Sequence, residues 1–579
     1  MGKHFTVGEY LLERLVQIGV KSVFGVPGDF NLGFLDFVEN HPNLDWIGNC
    51  NELNASYAAD GYARVKKGSV GALITTFGVG ELSAINGIAG AFSEHIPIVH
   101  IVGVPSTSQQ KNKPMLHHTL GDGRYDAYYK ASQQFTVASA NLQDAATAPG
   151  EIDRVLQACI TAARPVYIML PTDLAFSPAD AAKSALETPL KPNPPAAAPD
   201  VEDFAIGEIT RLVKDAGEDV VVLVDACAVR HDVEAELKDF VKTTNFPVYA
   251  APMGKTVIPE DYERYGGIYI GSISHPDTKE AVESAKLIIS VGGVKSDFNT
   301  GNFTYRIPTV RTVELHSDHT LIQHALYQDM GMKSLLPKLT TALKSVHSSA
   351  KSTSVKRSFS QLPAPGADPL GPDVISQLYL WPRVSQFLQP KDIVVAETGT
   401  SSFGILDVPL PNESILVAQI LWGSIGYATG STLGAALAAR ETNMGRTILF
   451  TGDGSIQLTV QELATMMRRD LHPIIFVLNN DGYTIERWLH GKEAKYNDIS
   501  SWNWTGILDV LGPHIEPKPK SHRVTTKAEL DALLSDPEFN KAERMQLVEV
   551  IMDKFDAPEA LQRQAELSGK TNAYVSEYL

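Results

Sequence analysis

Apolar residues at Val7, Leu11, Leu12, Leu15 and Val16 fall on one face of a helix, and Thr6-Val7-Gly8-Glu9 ahead of them carries the threonine and glutamate of a capping box. Ser22 to Val26 then reads as a short strand closed by Pro27-Gly28-Asp29. Strand-like runs recur at Val70–Thr76, Ile98–Val104 and Pro165–Leu170, with helix-length segments between them. A proline- and alanine-rich stretch, Pro189–Pro199, breaks the pattern, which resumes with strands at Val220–Val224 and Leu287–Val291. Ser345–Pro372 has little periodicity and reads as a linker, after which strands are predicted at Ile393–Ala396, Thr447–Phe450 and Ile474–Leu478. The alternation predicts three doubly wound α/β domains with mainly parallel sheets, over residues 1–188, 200–344 and 373–579, with a linker at 345–372. No sequence repeat relates the first and third segments.

Composition narrows the function. The 579 residues are 44% apolar, ample for several cores, and 67 acidic against 50 basic residues give a net charge of −17. With no basic tail, the chain is expected to bind neither nucleic acid nor an anionic membrane. An anion site must then be built from local dipoles, a metal or histidines. Three dispersed cysteines (Cys50, Cys159, Cys227) with no CxxC fit a reducing compartment. The start at Met1 has no apolar run and the end at Leu579 no anchor motif, so a soluble cytoplasmic protein is expected. One stretch, Ser414–Ala439, is uncharged, but Gly426, Gly430 and Gly434 repeat every four residues, a stripe suited to close packing of a buried helix.

The strongest candidate chemistry is Gly452-Asp453-Gly454-Ser455, with Asn480 following 27 residues after the aspartate. A strand precedes each, and a helix is predicted between them over Gln457–Arg469. Asp453 and Asn480 therefore sit beyond the carboxyl ends of two parallel strands, where open α/β sheets bind ligands. A carboxylate and an amide oxygen suit magnesium or calcium, whose remaining positions go to water and substrate phosphates. Ser455, placed at a helix N-terminus, offers a phosphate seat.

This stretch resembles the thiamine diphosphate motif, and the whole chain is similar to the fungal type of the thiamine diphosphate-dependent 2-keto acid decarboxylase family. The resemblance is carried by Val26-Pro27-Gly28-Asp29, Asn51-Glu52-Leu53-Asn54, Leu116-His117-His118-Thr119-Leu120-Gly121, Glu397-Thr398-Gly399-Thr400, Leu421-Trp422-Gly423-Ser424-Ile425-Gly426 and Gly482-Tyr483-Thr484-Ile485-Glu486. The middle segment and the last 70 residues match less distinctively. Carboligase relatives lack the His-His pair and often hold a flavin in the middle domain. Here Gly78-Val79-Gly80-Glu81-Leu82-Ser83 only approximates GxGxxG, and it lies in the first domain.

The resemblance implies a carboxy-lyase using thiamine diphosphate and Mg2+. Its expected reaction is non-oxidative decarboxylation of pyruvate to acetaldehyde and CO2 through a cofactor-bound enamine, feeding alcoholic fermentation. Glu52 takes the place of the glutamate that bonds the cofactor's pyrimidine ring. Ile425 is the wedge between the two rings, and the Gly423 carbonyl receives the amino group. Thr398, Thr400, Gly454, Ser455 and Ile456 meet the cofactor, while Asp453, Asn480 and the Gly482 carbonyl ligate the metal. Asp29, His117, His118 and Glu486 form the acid–base relay, with Asp29 or Glu486 expected to be protonated when substrate binds. Phe298, Thr398 and Ile485 line a pocket that favours small substrates. Cys227 aligns with a cysteine proposed to mediate activation by substrate. The first and third domains are expected to meet across a subunit interface, making a homodimer the minimum and a homotetramer the expected assembly.

Overall fold

The computed structural model describes residues 4–344 and 355–572, so residues 345–354 of the predicted linker and both chain ends lie outside the described residues. Helix α1 (Val7–Gln17) starts at the predicted box: the Glu9 amide donates to Thr6 Oγ1 at 3.2 Å and the Thr6 amide to Glu9 Oε2 at 2.9 Å. Six strands follow, β1 (Ser22–Gly25), β2 (Asp45–Trp46), β3 (Gly71–Thr76), β4 (Ile98–Val104), β5 (Ala138–Asn141) and β6 (Val166–Pro171). They form one parallel sheet in the order β2-β1-β3-β4-β6-β5. Two helices matter for what it carries: α2 (Glu52–Val65) and α3 (Val79–Ser93).

The middle sheet comprises β7 (Val220–Val224), β8 (Val248–Ala250), β9 (Tyr265–Ile268), β10 (Leu287–Val291), β11 (Thr312–Leu315), β12 (His319–Ile322) and β13 (Ala325–Gln328). Its order is β13-β12-β11-β10-β7-β8-β9, with an antiparallel edge at β11-β12-β13 on an otherwise parallel sheet. The third sheet contains β14 (Ile393–Ala396), β15 (Ile415–Val417), β16 (Thr447–Gly452), β17 (Ile474–Asn479), β18 (Lys520–Val524) and β19 (Gln546–Ile551), all parallel, in the order β15-β14-β16-β17-β19-β18. That is the order of the first sheet, reached without any sequence repeat. Around it lie α4 (Thr400–Leu406), α5 (Tyr427–Thr442), α6 (Thr484–Leu489) and α7 (Glu559–Asn572).

The uncharged stretch divides: its first half forms β15 and a loop, Gly426 caps the helix, and the second half makes most of α5, which packs along α2 so that one core cluster spans both sheets. A Cβ on Gly434 would stand 1.8 Å from the Ala58 carbonyl, and one on Gly61 2.1 Å from the Ser431 carbonyl, so each backbone lies in the other's groove. The small-residue stripe thus joins two domains. No described helix is long and apolar enough to cross a membrane. One predicted helix is shorter than expected. Residues 457–461 are turns and the helix runs only from Glu462 to Arg468, because i→i+3 bonds such as Thr459 N to the Ile456 carbonyl (3.2 Å) tighten the entry.

Candidate active site

The loops leaving β14, β15, β16 and β17 enclose a cavity of about 250 Å³ lined by Thr398, Thr400, Ile425, Gly454, Ser455, Asn480, Gly482, Ile485 and Glu486, among others. Ser455 lies in the first turn of a short helix, Asp453–Ile456, that starts before the predicted one. The Ser455 amide, in the first helical turn, has no partner within the helix and offers a donor to a phosphate, whereas the predicted Ile456 amide stands one position later, where it bonds back to the Gly452 carbonyl. Gly423 has φ +63° and Gly399 φ +118°, conformations that keep Thr398 and the Ile425 segment close at little steric cost. Ile425 remains 36% exposed, an apolar side chain held out at the mouth.

The oxygen atoms at the deep end test whether a cation fits. Thr484 Oγ1 donates to the Lys554 carbonyl at 3.0 Å, which leaves it able to accept from the Asn480 amide nitrogen 2.8 Å away. In that orientation Asn480 Oδ1 stands 3.1 Å from Asp453 Oδ1 and 3.0 Å from the Gly482 carbonyl, with no proton between the three. Mg2+ bonds of 2.0–2.1 Å put neighbouring octahedral ligands about 3 Å apart. The donor set and its spacing fit the metal; without one, the amide is better turned over, donating to both oxygens. Burial pushes the Asp453 carboxyl up to about 7, against opposing amide bonds from Gly454 (2.9 Å) and Gly482 (3.2 Å).

The remaining predicted residues gather at the carboxyl edge of the first sheet. His117 Nε2 lies 2.7 Å from Asp29 Oδ2, and His117 stacks on Phe30 at 5.1 Å with the His118 ring edge-on at 4.7 Å. These side chains are open to solvent, His117 by 57% and Asp29 by 49%. Glu52 occupies the first turn of α2, half-buried, and burial raises its carboxyl pKa. None of these residues lines the cavity of the third sheet. Glu486 does, but it is exposed on α6.

Phe298 also falls outside the cavity lining. It packs beside it in an apolar cluster with Phe403, Ile485, Trp488, Ala557 and Leu561. Cys227 is buried, and its thiol is pushed up to about 12, chiefly by burial. Ligating atoms of Cys227, His95 and His231 lie within 4.8 Å of one another. Burial holds both histidines neutral, near 3 and 4.

Two acids in motifs quoted above have no role assigned by the sequence. Glu397 is buried with its carboxyl pushed up to about 8 by desolvation, and it accepts the amides of Thr398 (3.1 Å) and Ala428 (3.3 Å), tying two cofactor loops together. Glu81 is equally buried in the first domain. A lone acid in an apolar segment, with no basic residue at helical spacing, was the available signal.

The comparisons agree with this architecture. Family models for the thiamine pyrophosphate enzymes match the N-terminal binding domain at residues 5–129, the central domain at 206–343 and the C-terminal binding domain at 397–550. Pyruvate decarboxylase isozyme 1 of Saccharomyces cerevisiae is 47% identical over 572 residues, covering 98% of this chain and 99% of the relative. Pyruvate decarboxylase of Candida glabrata is 47% identical over 571 residues at the same coverage. That of Aspergillus terreus is 45% identical over 571 residues, 99% of this chain and 98% of the relative. The chain belongs to the thiamine pyrophosphate enzyme family and, within it, to the group of the fungal pyruvate decarboxylases.

Proposed function

We propose that this protein converts pyruvate to acetaldehyde and CO2 with thiamine diphosphate and Mg2+, in the cytoplasm, as the aldehyde-forming step of fermentation. The observation that carries the reading is the convergence of Asp453, Asn480 and Gly482 oxygens beside the first-turn amide of Ser455. Those groups would hold the metal and the diphosphate, with Thr398, Thr400, Gly423, Gly454 and Ile425 seating the rest. When bound, thiamine diphosphate supplies the nucleophilic carbon and electron sink that a 2-keto acid needs to lose CO2.

The chain's own groups manage protons. Burial favours the neutral form of Glu52, which suits its carboxyl oxygen to share a proton with a ring nitrogen. A proton held between His117 Nε2 and Asp29 leaves Nδ1 as the acceptor, so the pair fixes one tautomer. The product carbon must gain a proton and the product oxygen lose one, and His117–Asp29, His118 and Glu486 divide these transfers. Thr398, Ile485 and the adjoining Phe298 limit substrate size.

The two half-sites face solvent in a single chain, so we assign the complete site to a homodimer in which one copy's first sheet closes over the other's third, with two dimers forming a tetramer. Regulation by the keto acid is assigned to Cys227. Arg230 Nε, His231 Nε2 and His95 Nδ1 are buried without hydrogen-bond partners; Arg164 donates to His95 Nε2 at 2.7 Å, so His95 Nδ1 and Arg230 Nε are two donors for a carboxylate. Sigmoidal rate curves that persist in Cys227→Ser overturn that assignment.

Purified protein with thiamine diphosphate, magnesium and pyruvate, coupled to an alcohol dehydrogenase, is expected to consume NADH. The rate should vanish without magnesium. Carbon dioxide from a bulkier keto acid but none from pyruvate would overturn the substrate while keeping the site.

A further inference from the structure

The Gly78-Val79-Gly80-Glu81 segment follows β3, the third strand of its sheet. The loop in the same topological position of the third sheet is Gly452-Asp453-Gly454, after β16. Both place two glycines around a tight turn at the carboxyl edge. In the third sheet the carboxylate between the glycines faces the metal ligands. In the first, the carboxylate follows the second glycine and turns inward.

Glu81 is 1% exposed. Its Oε1 accepts the Gly78 amide at 2.8 Å and its Oε2 accepts the Tyr167 hydroxyl at 2.7 Å. It forms no ion pair among the described residues, and burial pushes its carboxyl up to about 7. An acid buried without a countercharge is costly, so its partners must need it. Gly78 has φ +68°, and a Cβ there would stand 2.4 Å from the His118 carbonyl. A Cβ on Gly80 would stand 3.0 Å from Glu52 Oε1. Tyr128, whose ring packs against Phe77 at 5.1 Å, donates its hydroxyl to the same His118 carbonyl at 2.8 Å. One turn therefore seats both Glu52 and the His117–His118 loop.

We propose that Glu81 is a positioning residue for the reaction: its carboxyl group pins the Gly78–Gly80 turn against Tyr167 and thereby fixes Glu52 and His118 relative to each other. This rests on the roles given above to Glu52 and His118. Misplacing a reacting group by about 1 Å costs on the order of a hundredfold in rate.

The test uses the full chain with saturating thiamine diphosphate and magnesium, comparing Glu81→Ala, Glu81→Gln and Glu52→Gln. Glu81→Ala is expected to lower kcat by about a hundredfold while the KM for pyruvate and the cofactor affinity, read by tryptophan quenching, stay within about twofold. The near-ultraviolet circular-dichroism signal of the bound pyrimidine should change with it. Glu81→Gln should recover most of the rate, since its carbonyl still accepts the Gly78 amide and its NH2 can donate to Tyr167. Parental kcat in Glu81→Ala with a lost rate in Glu52→Gln overturns the proposal alone. Equal loss in the Gln and Ala variants also overturns it, because the geometry is then not what Glu81 supplies. A parental rate in Glu52→Gln overturns the reading of the site itself.

Discussion

The first and third sheets run six parallel strands in one order, yet their carboxyl edges are finished differently. The third edge is concave: Asp453 and Glu397 are buried, and the oxygens of Asp453, Asn480 and Gly482 stand close enough to share a cation. The first edge is open: His117 and Asp29 are about half exposed, and their bond to each other organises them. The same topology thus builds a concave edge of buried carboxylates, proposed above as the seat of an anionic, metal-bearing group, and a solvent-facing set of acids and bases on the other sheet. The lesson is that the fold fixes where loops emerge, while burial decides what each loop can do. A buried carboxylate needs a cation or amides; an exposed one is free to trade protons.

The largest effect comes from separating the two halves. Asp453→Asn and Glu52→Gln are each expected to be nearly inactive, the latter by about 10²–10⁴-fold as for loss of a proton-transfer group. Chains of the two variants, dissociated and reassembled together in equal amounts, should regain about a quarter of the parental turnover. Half of randomly paired dimers are mixed, and one site in each mixed dimer has both native halves. A site contained in one chain would regain nothing, so recovery or its absence decides whether the edges meet between subunits.

The nearness of Asp453 and Asn480, the proposed metal ligands, was legible in the sequence because both follow neighbouring parallel strands: Gly452 pairs with Leu478, so the two emerge side by side. The central strands were equally legible as unbroken Val, Ile and Leu runs. Edge strands were not. β2 is two residues long, and β18 (Lys-Ser-His-Arg-Val) is polar on an edge where burial imposes no pattern. The partnership of His117 with Asp29 spans 88 residues and left no local trace. Glu397 and Glu81 stand in segments that the sequence marks, yet nothing there gives either acid a role: their partners are backbone amides and a distant tyrosine, which no spacing rule picks out.

A smaller effect should sharpen the comparison at the wall between the third sheet and the middle domain. Leu561 is fully buried on α7 in the cluster with Phe403, and the Phe403 and Phe298 rings lie 5.8 Å apart. Leu561→Ala leaves a cavity that costs about 2–5 kcal/mol of stability. It also lets the aromatic pair retreat, so kcat/KM for a longer 2-keto acid should rise relative to pyruvate by about tenfold. A lower melting temperature with an unchanged ratio would mean that the cluster supports the pocket without shaping it.

The smallest effect isolates the burial that distinguishes the third edge. Glu397 shifts from an ordinary 4.5 to about 8 in the folded chain, chiefly through desolvation. A carboxyl with a raised folded pKa favours the native state fully below its unfolded pKa, and that contribution is lost as pH climbs through the folded value. Between about pH 5 and about pH 8.5 the native parent must keep Glu397 neutral or ionise it in a buried site, whereas the unfolded chain ionises it freely. Glu397→Gln has no such titration. The difference in thermal midpoint, parent minus variant, measured on cofactor-free protein, should therefore fall steadily, toward or through negative values, across that range. A difference constant with pH would mean that the loop amides of Thr398 and Ala428 compensate the charge in full, and that Glu397, unlike Asp453, loses nothing by its burial.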